Sequence, residues 1–278
     1  MHTLRLLAAI GIGLGLAVLL VFALKGSTIQ AQGSGMCDRY VVNGGNNSPE
    51  NTCSDPNNPC KTIQYALGWT SAGETICVAD RDDLVGPSTF YGPIVVTKTV
   101  TLDGAWQARL NPGGTDWIWV PTACNPENVI LDGGGTSRVI SITKSNPVIY
   151  CFTITGGNAG GATDDPNHGG GIAARNVAPL IVNNIITGNY GCTGATCSGY
   201  GRGGGIYLVN APATAVISNN LIANNVADDA TWGQGGGIYL ENASPRVLSN
   251  TLQTNRAGHS AGNGGGIAVI GGSPVLVG

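Results

Sequence analysis

The sequence predicts an all-β fold, a right-handed parallel β-helix. This is a solenoid of about 29–34 residues per coil, closed at its N-terminal end by a capping segment that contains a short helix. Three observations predict it. A glycine triplet followed by a β-branched residue recurs, an asparagine pair recurs in phase with it, and the stretches between are short β-branched runs rather than helix-forming periods.

Residues 1–31 stand apart from the fold. Arg5 precedes a run from Leu6 to Leu24 without a charge, and Lys25, Gly26 and Ser27 follow, ahead of a small residue at Ala31. A basic start, an apolar core and small residues read as a secretory signal. The run is also nearly long enough to span a bilayer, so an uncleaved N-terminal membrane anchor is the other reading. Both carry the rest of the chain out of the cytoplasm, to a secreted or cell-surface location.

Residues 37–93 read as the N-terminal cap and first strands. "RYVVNGG" is a first strand, and "PCKTIQYALGWTSAGETICVAD" is a short amphipathic helix, from Thr62 to about Thr70, followed by a strand. An uncovered end of a solenoid would template aggregation, so a cap is a physical requirement. "TVTLDGAW" (Thr99 to Trp106) and "NVILDGGGTSRVISI" (Asn128 to Ile142) read as the first regular coils, each with a strand ending in Leu-Asp-Gly.

Residues 94–278 read as the coils. Glycine triplets begin at Gly169, Gly203, Gly235 and Gly264, in steps of 34, 32 and 29 residues. The asparagine motif runs in phase: Asn184 and Asn189, Asn220 and Asn225, Asn250 and Asn255. In stacked coils, about 4.8 Å apart, Asn184, Asn220 and Asn250 form a ladder whose amides bond to one another and to turn backbone. The triplets admit a tight corner that side chains would block. A phosphate-cradling reading of Gly201–Gly205 fails, because no Lys-Ser/Thr and no helix follow. Gly278 falls mid-repeat, after "PVLVG", so the expectation is a repeat array truncated at its C-terminal side.

The pairing of GGG-I with N-x-I-x-x-N resembles the repeats of bacterial extracellular right-handed parallel β-helix proteins of the pectate-lyase-like superfamily. It is similar to the GGA(I/L/V) and FxxN repeats of polymorphic outer-membrane proteins and covers roughly Cys37 to Gly278. The resemblance implies the fold and, at the N-terminal end, that the Cys/Thr-Ile-Gln-x-Ala segment covers the open core. It also brings enzymes into view, since such folds host polysaccharide lyases and glycoside hydrolases.

Eight cysteines fit an oxidising compartment. "CSDPNNPC" (Cys53 to Cys60) and "CTGATC" (Cys192 to Cys197) can close local loops, which leaves Cys37 with Cys77 and Cys124 with Cys151, although spacing does not fix connectivity. Zinc spacing is absent. Charged residues make up 10% of the chain, against about 25% in ordinary soluble domains, and net charge is −3. With no basic patch, nucleic acid is excluded as a partner. The expected partner is a polysaccharide or cell-surface glycan, the membrane is met only through an uncleaved N-terminal segment, and the chain is expected to be a monomer.

A hydrolase needs converging carboxylates, and a calcium-assisted lyase needs an acidic cluster with a Lys or Arg base. The candidates are Asp164 and Asp165 with His168, and Asp228 and Asp229, each pair a few residues before a glycine triplet and about two coils apart. Arg202, Arg256 and His259 lie in neighbouring loops, and Trp232 stands where it can stack on a sugar. The arrangement fails the polygalacturonase pattern on spacing, since Asp165 and His168 share one coil and no Arg-x-Lys follows. The acids therefore read as solvated loop residues. No residue is assigned as catalytic, cofactor-binding or metal-ligating, no cofactor is expected, and calcium is the one ion for which the acidic pairs leave room. The function expected is a non-catalytic scaffold presenting loops for adhesion or glycan binding. A polysaccharide lyase or glycoside hydrolase is the alternative, and a structural stalk or passenger the second alternative.

Overall fold

The computed structural model describes residues 36–162, 166–194, 197 and 199–278. The expected signal or anchor, residues 1–31, lies outside them. Among the described residues no helix is long and apolar enough to cross a membrane.

Asparagine and glycine corners cut the chain into strands of mostly three to five residues, and these stack in parallel as three long sheets. The first sheet runs through Arg39–Val42, Thr75–Arg81, Thr101–Leu110, Val148–Tyr150, Leu180–Val182, Val216–Ser218, Arg246–Leu248 and Val275–Val277. Ser88–Tyr91, Val129–Asp132, Thr153–Thr155, Ile185–Thr187, Leu221–Ala223 and Thr251–Gln253 form the second. The third contains Ile94–Val96, Ile140–Thr143, Ile172–Arg175, Ile206–Val209, Ile238–Glu241 and Ile267–Ile270. The chain visits the three sheets in turn, so the architecture is a parallel β-helix.

Register places like on like. Leu102, Ile149, Ile181, Ile217 and Val247 form one inward column, Leu131, Ile154, Ile186 and Ile222 a second, and Ile140, Ile172, Ile206 and Ile238 a third. All are buried in one continuous core. Each such side chain removed from water contributes about 1.5–3 kcal/mol.

Two asparagine ladders close the corners on either side of the second sheet. Oδ1 of Asn220 accepts from the backbone N–H of Asn184 at 2.9 Å and from its Nδ2 at 3.1 Å, and Asn250 serves Asn220 in the same way. Asn189, Asn225 and Asn255 repeat the pattern one corner later. The glycine triplets are architecture. Their first member takes a left-handed φ, 59° at Gly203 and 62° at Gly235, and a Cβ on the third, Gly205, would stand 2.7 Å from the Gly237 carbonyl oxygen of the next coil. The loop before the triplet absorbs most of the drift in period, spanning 190–202, then 226–234, then 256–263.

The cap is built as its residues predict. The helix is Ile63–Trp69, with Thr62 Oγ1 accepting from the Tyr65 N–H, and Ile63, Ala66 and Leu67 are buried against the core. Lys98 Nζ donates to the carbonyls of Leu67, Gly68 and Thr70, a cation at the C-terminal end where those carbonyls lack helical partners. Disulfides Cys37–Cys77 and Cys53–Cys60 fasten this end, and Cys124–Cys151 and Cys192–Cys197 fasten later loops.

Two features depart from the sequence reading. The Leu-Asp-Gly strands Thr101–Leu110 and Val129–Asp132 belong to the first and second sheets of one coil, not to successive coils. Between them an antiparallel strand, Trp117–Pro121, folds back on Thr101–Leu110 and lays Trp117 and Trp119 over Trp106, Ala79 and Cys77 on the outer face. The second departure is that the first complete coil begins at Thr75, ahead of the Thr99–Trp106 stretch read as the first regular coil.

Candidate loop-edge site

The loops between the second sheet and the glycine triplets line up along one edge. His168 pairs with Arg202, Arg202 with Gln234 and Gln234 with Asn263, which sets successive loops one coil apart. The edge adjoins the outer face of the third sheet, where the register brings Ala173, Tyr207, Tyr239 and Ala268 into one column.

That outer face is filled by the protein's own side chains. Tyr207 and Tyr239 stack at 5.5 Å with 10° between planes, and each is only 1% exposed. The Arg175 guanidinium lies 4.9 Å over the Tyr207 ring and donates to its hydroxyl at 2.7 Å. Arg202 lies 5.4 Å over Tyr239 and reaches Glu241 at 3.8 Å, and the His168 ring sits 4.8 Å from Tyr207. Burial pushes the Tyr239 phenol up to about 12, opposed by Arg202 and helped by the Glu241 carboxylate, to which the hydroxyl donates at 3.1 Å. Tyr207 and Tyr239 follow Ile206 and Ile238 in the two identical GGGIYL copies, so their stacking is readable in retrospect from the shared register.

The acidic candidates separate. Asp164 and Asp165 lie outside the described residues. Asp228, read as a solvated loop acid, is buried: its carboxylate accepts from the N–H groups of Ala230 and Thr231 at 2.8 and 2.7 Å, from Gly201 N–H at 3.2 Å and from the Thr231 hydroxyl at 3.3 Å. The reason is architectural, because orphaned donors of two adjacent loops converge there and a carboxylate satisfies them. Asp229 is the outward member and is ion-paired with Arg256, whose Nη1 stands 3.4 Å from His259 Nδ1.

Cys192, Cys197 and Asp228 bring possible ligand atoms within 4.8 Å of one another, but the two sulfurs are bonded to each other and the carboxylate is committed to the loops. Trp232 is half-buried and meets Tyr200 edge-on at 4.9 Å, and Tyr200 is 58% exposed. Sequence reasoning missed Tyr200, because nothing local marks a tyrosine whose partner is on the next coil. It also missed Asp103, a buried carboxylate beside the Trp117–Pro121 strand that accepts from Ala105 N–H at 2.9 Å and Trp106 Nε1 at 3.2 Å. Burial raises its pKa, and those two donors oppose the rise.

A family model described as "Protein of unknown function (DUF1565)" matches residues 42–267. No curated protein and no solved structure matches the chain.

Proposed function

The chain belongs to the DUF1565 family, and from that premise we propose that it is a non-catalytic β-helix scaffold, secreted or held at the cell surface, that presents its loop edge to glycans. One observation carries the reading: the outer face beside the loops is packed shut by Tyr207, Tyr239, Arg175 and Arg202, and the described carboxylates around it are spent on the fold, Glu241 on Tyr239 and Arg202, Asp228 on loop N–H groups and Asp229 on Arg256. A hydrolase needs two carboxylates free to face a substrate. Four disulfides in a small chain accord with an oxidising location, and the uncharged Leu6–Leu24 run accords with export. The resemblance of the repeats to pectate-lyase-like proteins of bacteria belongs to the same reading.

The test is to incubate the protein with neutral and acidic polysaccharides, with and without calcium, and to follow retention in affinity gels alongside reducing ends and unsaturated products. Retention with intact polymer is the expected outcome. Turnover that disappears in Asp229→Asn or in Asp164→Asn/Asp165→Asn would make this protein a lyase or hydrolase instead.

A further inference from the structure

Tyr200 and Trp232 are bound into the fold from below in a way that ordinary loop residues are not. Gly201 pairs with Gly233, so the two aromatic residues that precede them occupy equivalent places on adjacent coils. One buried carboxylate, Asp228, holds both loops at their bases: it accepts from Gly201 N–H, next to Tyr200, and from Thr231 N–H, next to Trp232. Disulfide Cys192–Cys197 shortens the free length of the chain leading to Tyr200. The two rings meet at 4.9 Å with 74° between planes, and Tyr200 is 58% exposed. Asp229, in the same loop as Trp232, is neutralised by Arg256 of the following coil, which stands beside His259, so the loop supplies acceptors and donors without net charge.

We propose that Tyr200 and Trp232 form a pyranose-binding ledge for a neutral oligosaccharide. This deepens the glycan-presenting reading above and rests on it. A pyranose has an apolar C–H face and a rim of hydroxyls, which matches an aromatic surface bordered by a neutral ion pair. A uronate polymer would demand an uncommitted cation, and Arg256 is committed to Asp229. Pre-positioned aromatic side chains bind with little ordering cost, because they carry few rotatable bonds.

The experiment titrates the whole exported chain, from residue 32 onward, with cellohexaose, xylohexaose and mannohexaose, and with hexagalacturonate as the acidic control. Binding is measured by calorimetry and by tryptophan fluorescence. The expected result is binding of a neutral hexasaccharide that Trp232→Ala weakens about tenfold or more and Tyr200→Ala several-fold, with Trp232→Phe retaining most of the affinity. Matching circular dichroism and melting curves show that the variants fold. Binding unchanged in both alanine variants, or preference for hexagalacturonate, overturns the ledge while leaving the glycan-presenting reading in place. Absence of binding to any glycan by the wild-type chain overturns both.

Discussion

Asn220 Oδ1 receives two hydrogen bonds from Asn184, one from its backbone N–H at 2.9 Å and one from its side-chain amide at 3.1 Å, while Asn220 Nδ2 donates to the Ile181 carbonyl at 2.9 Å. Both asparagines are buried. Replacing Asn220 with Ala strands the buried backbone N–H of Asn184 and takes a donor from the Ile181 carbonyl, while Asn184 Nδ2 keeps the Ile149 and Val182 carbonyls. A buried unpaired group costs about 1–3 kcal/mol, so Asn220→Ala is expected to destabilise by about 2–4 kcal/mol. Denaturant unfolding of the variant, read at the midpoint and with the slope compared, checks it. A loss below about 1 kcal/mol would mean that water replaces the ladder.

Glycines at two positions respond in opposite ways. Gly68 sits within the cap helix, and a Cβ added there would point into open space. Gly68→Ala is therefore expected to stabilise by about 0.5–1 kcal/mol through helix propensity and a smaller unfolded ensemble. Gly204, the middle of a triplet, faces the Val226 backbone of the next coil, and a methyl group there collides with atoms that cannot rotate away. Gly204→Ala is expected to cost about 1–3 kcal/mol or more. Thermal melts of the two variants beside the wild type decide both signs.

Thr254 is strained where its equivalents are not. It holds a φ of 54° at the corner before Asn255, the place taken by Gly188 and Asn224 on earlier coils. A left-handed conformation costs a side-chain-bearing residue about 1–2 kcal/mol, most of all when β-branched, whereas Gly and Asn visit it routinely. Thr254→Gly or Thr254→Asn is therefore expected to raise stability by about 0.5–1 kcal/mol. Since Thr254 is exposed, little packing is lost. An unchanged melting temperature in both variants would argue that the corner relaxes without help.

The elements legible in the sequence were those whose cause is local or strictly periodic. Thr62, Ile63, Ala66 and Leu67 announce a capped amphipathic helix, and the in-phase Asn184, Asn220 and Asn250 announce stacked coils. The strand Trp117–Pro121 went unread although Asn111-Pro112-Gly113-Gly114 marks the turn before it, because Gly and Pro punctuate the coil corners throughout this chain and the turn alone does not tell a hairpin from a coil insertion. Nor was the burial of Asp228, since the Gly201 N–H that it serves lies on another coil and a doublet of acids ordinarily marks a solvated loop. The Tyr200–Trp232 pair was hidden for the same reason: neither residue has a local partner, and only the register makes them neighbours.

Asp103 makes stability depend on pH in a direction opposite to that of most carboxylates. Burial raises its pKa in the fold, and the N–H of Ala105 and the indole of Trp106 only partly counter this. A raised pKa means that the folded chain holds the proton more tightly than the unfolded one. Its contribution is thus fully present below the unfolded carboxylate value of about 3.9 and is lost as pH rises through the folded value. In Asp103→Asn the group no longer titrates, while the amide oxygen still serves one of the two donors. The stability of the wild type minus that of Asp103→Asn is therefore expected to be largest near pH 3 and to fall toward neutrality, reaching a plateau above the folded pKa. Urea unfolding of both proteins at half-unit steps from pH 3 to pH 8 measures the difference. A difference that grows with pH would show instead that the ionised carboxylate is the form the Ala105 and Trp106 donors stabilise.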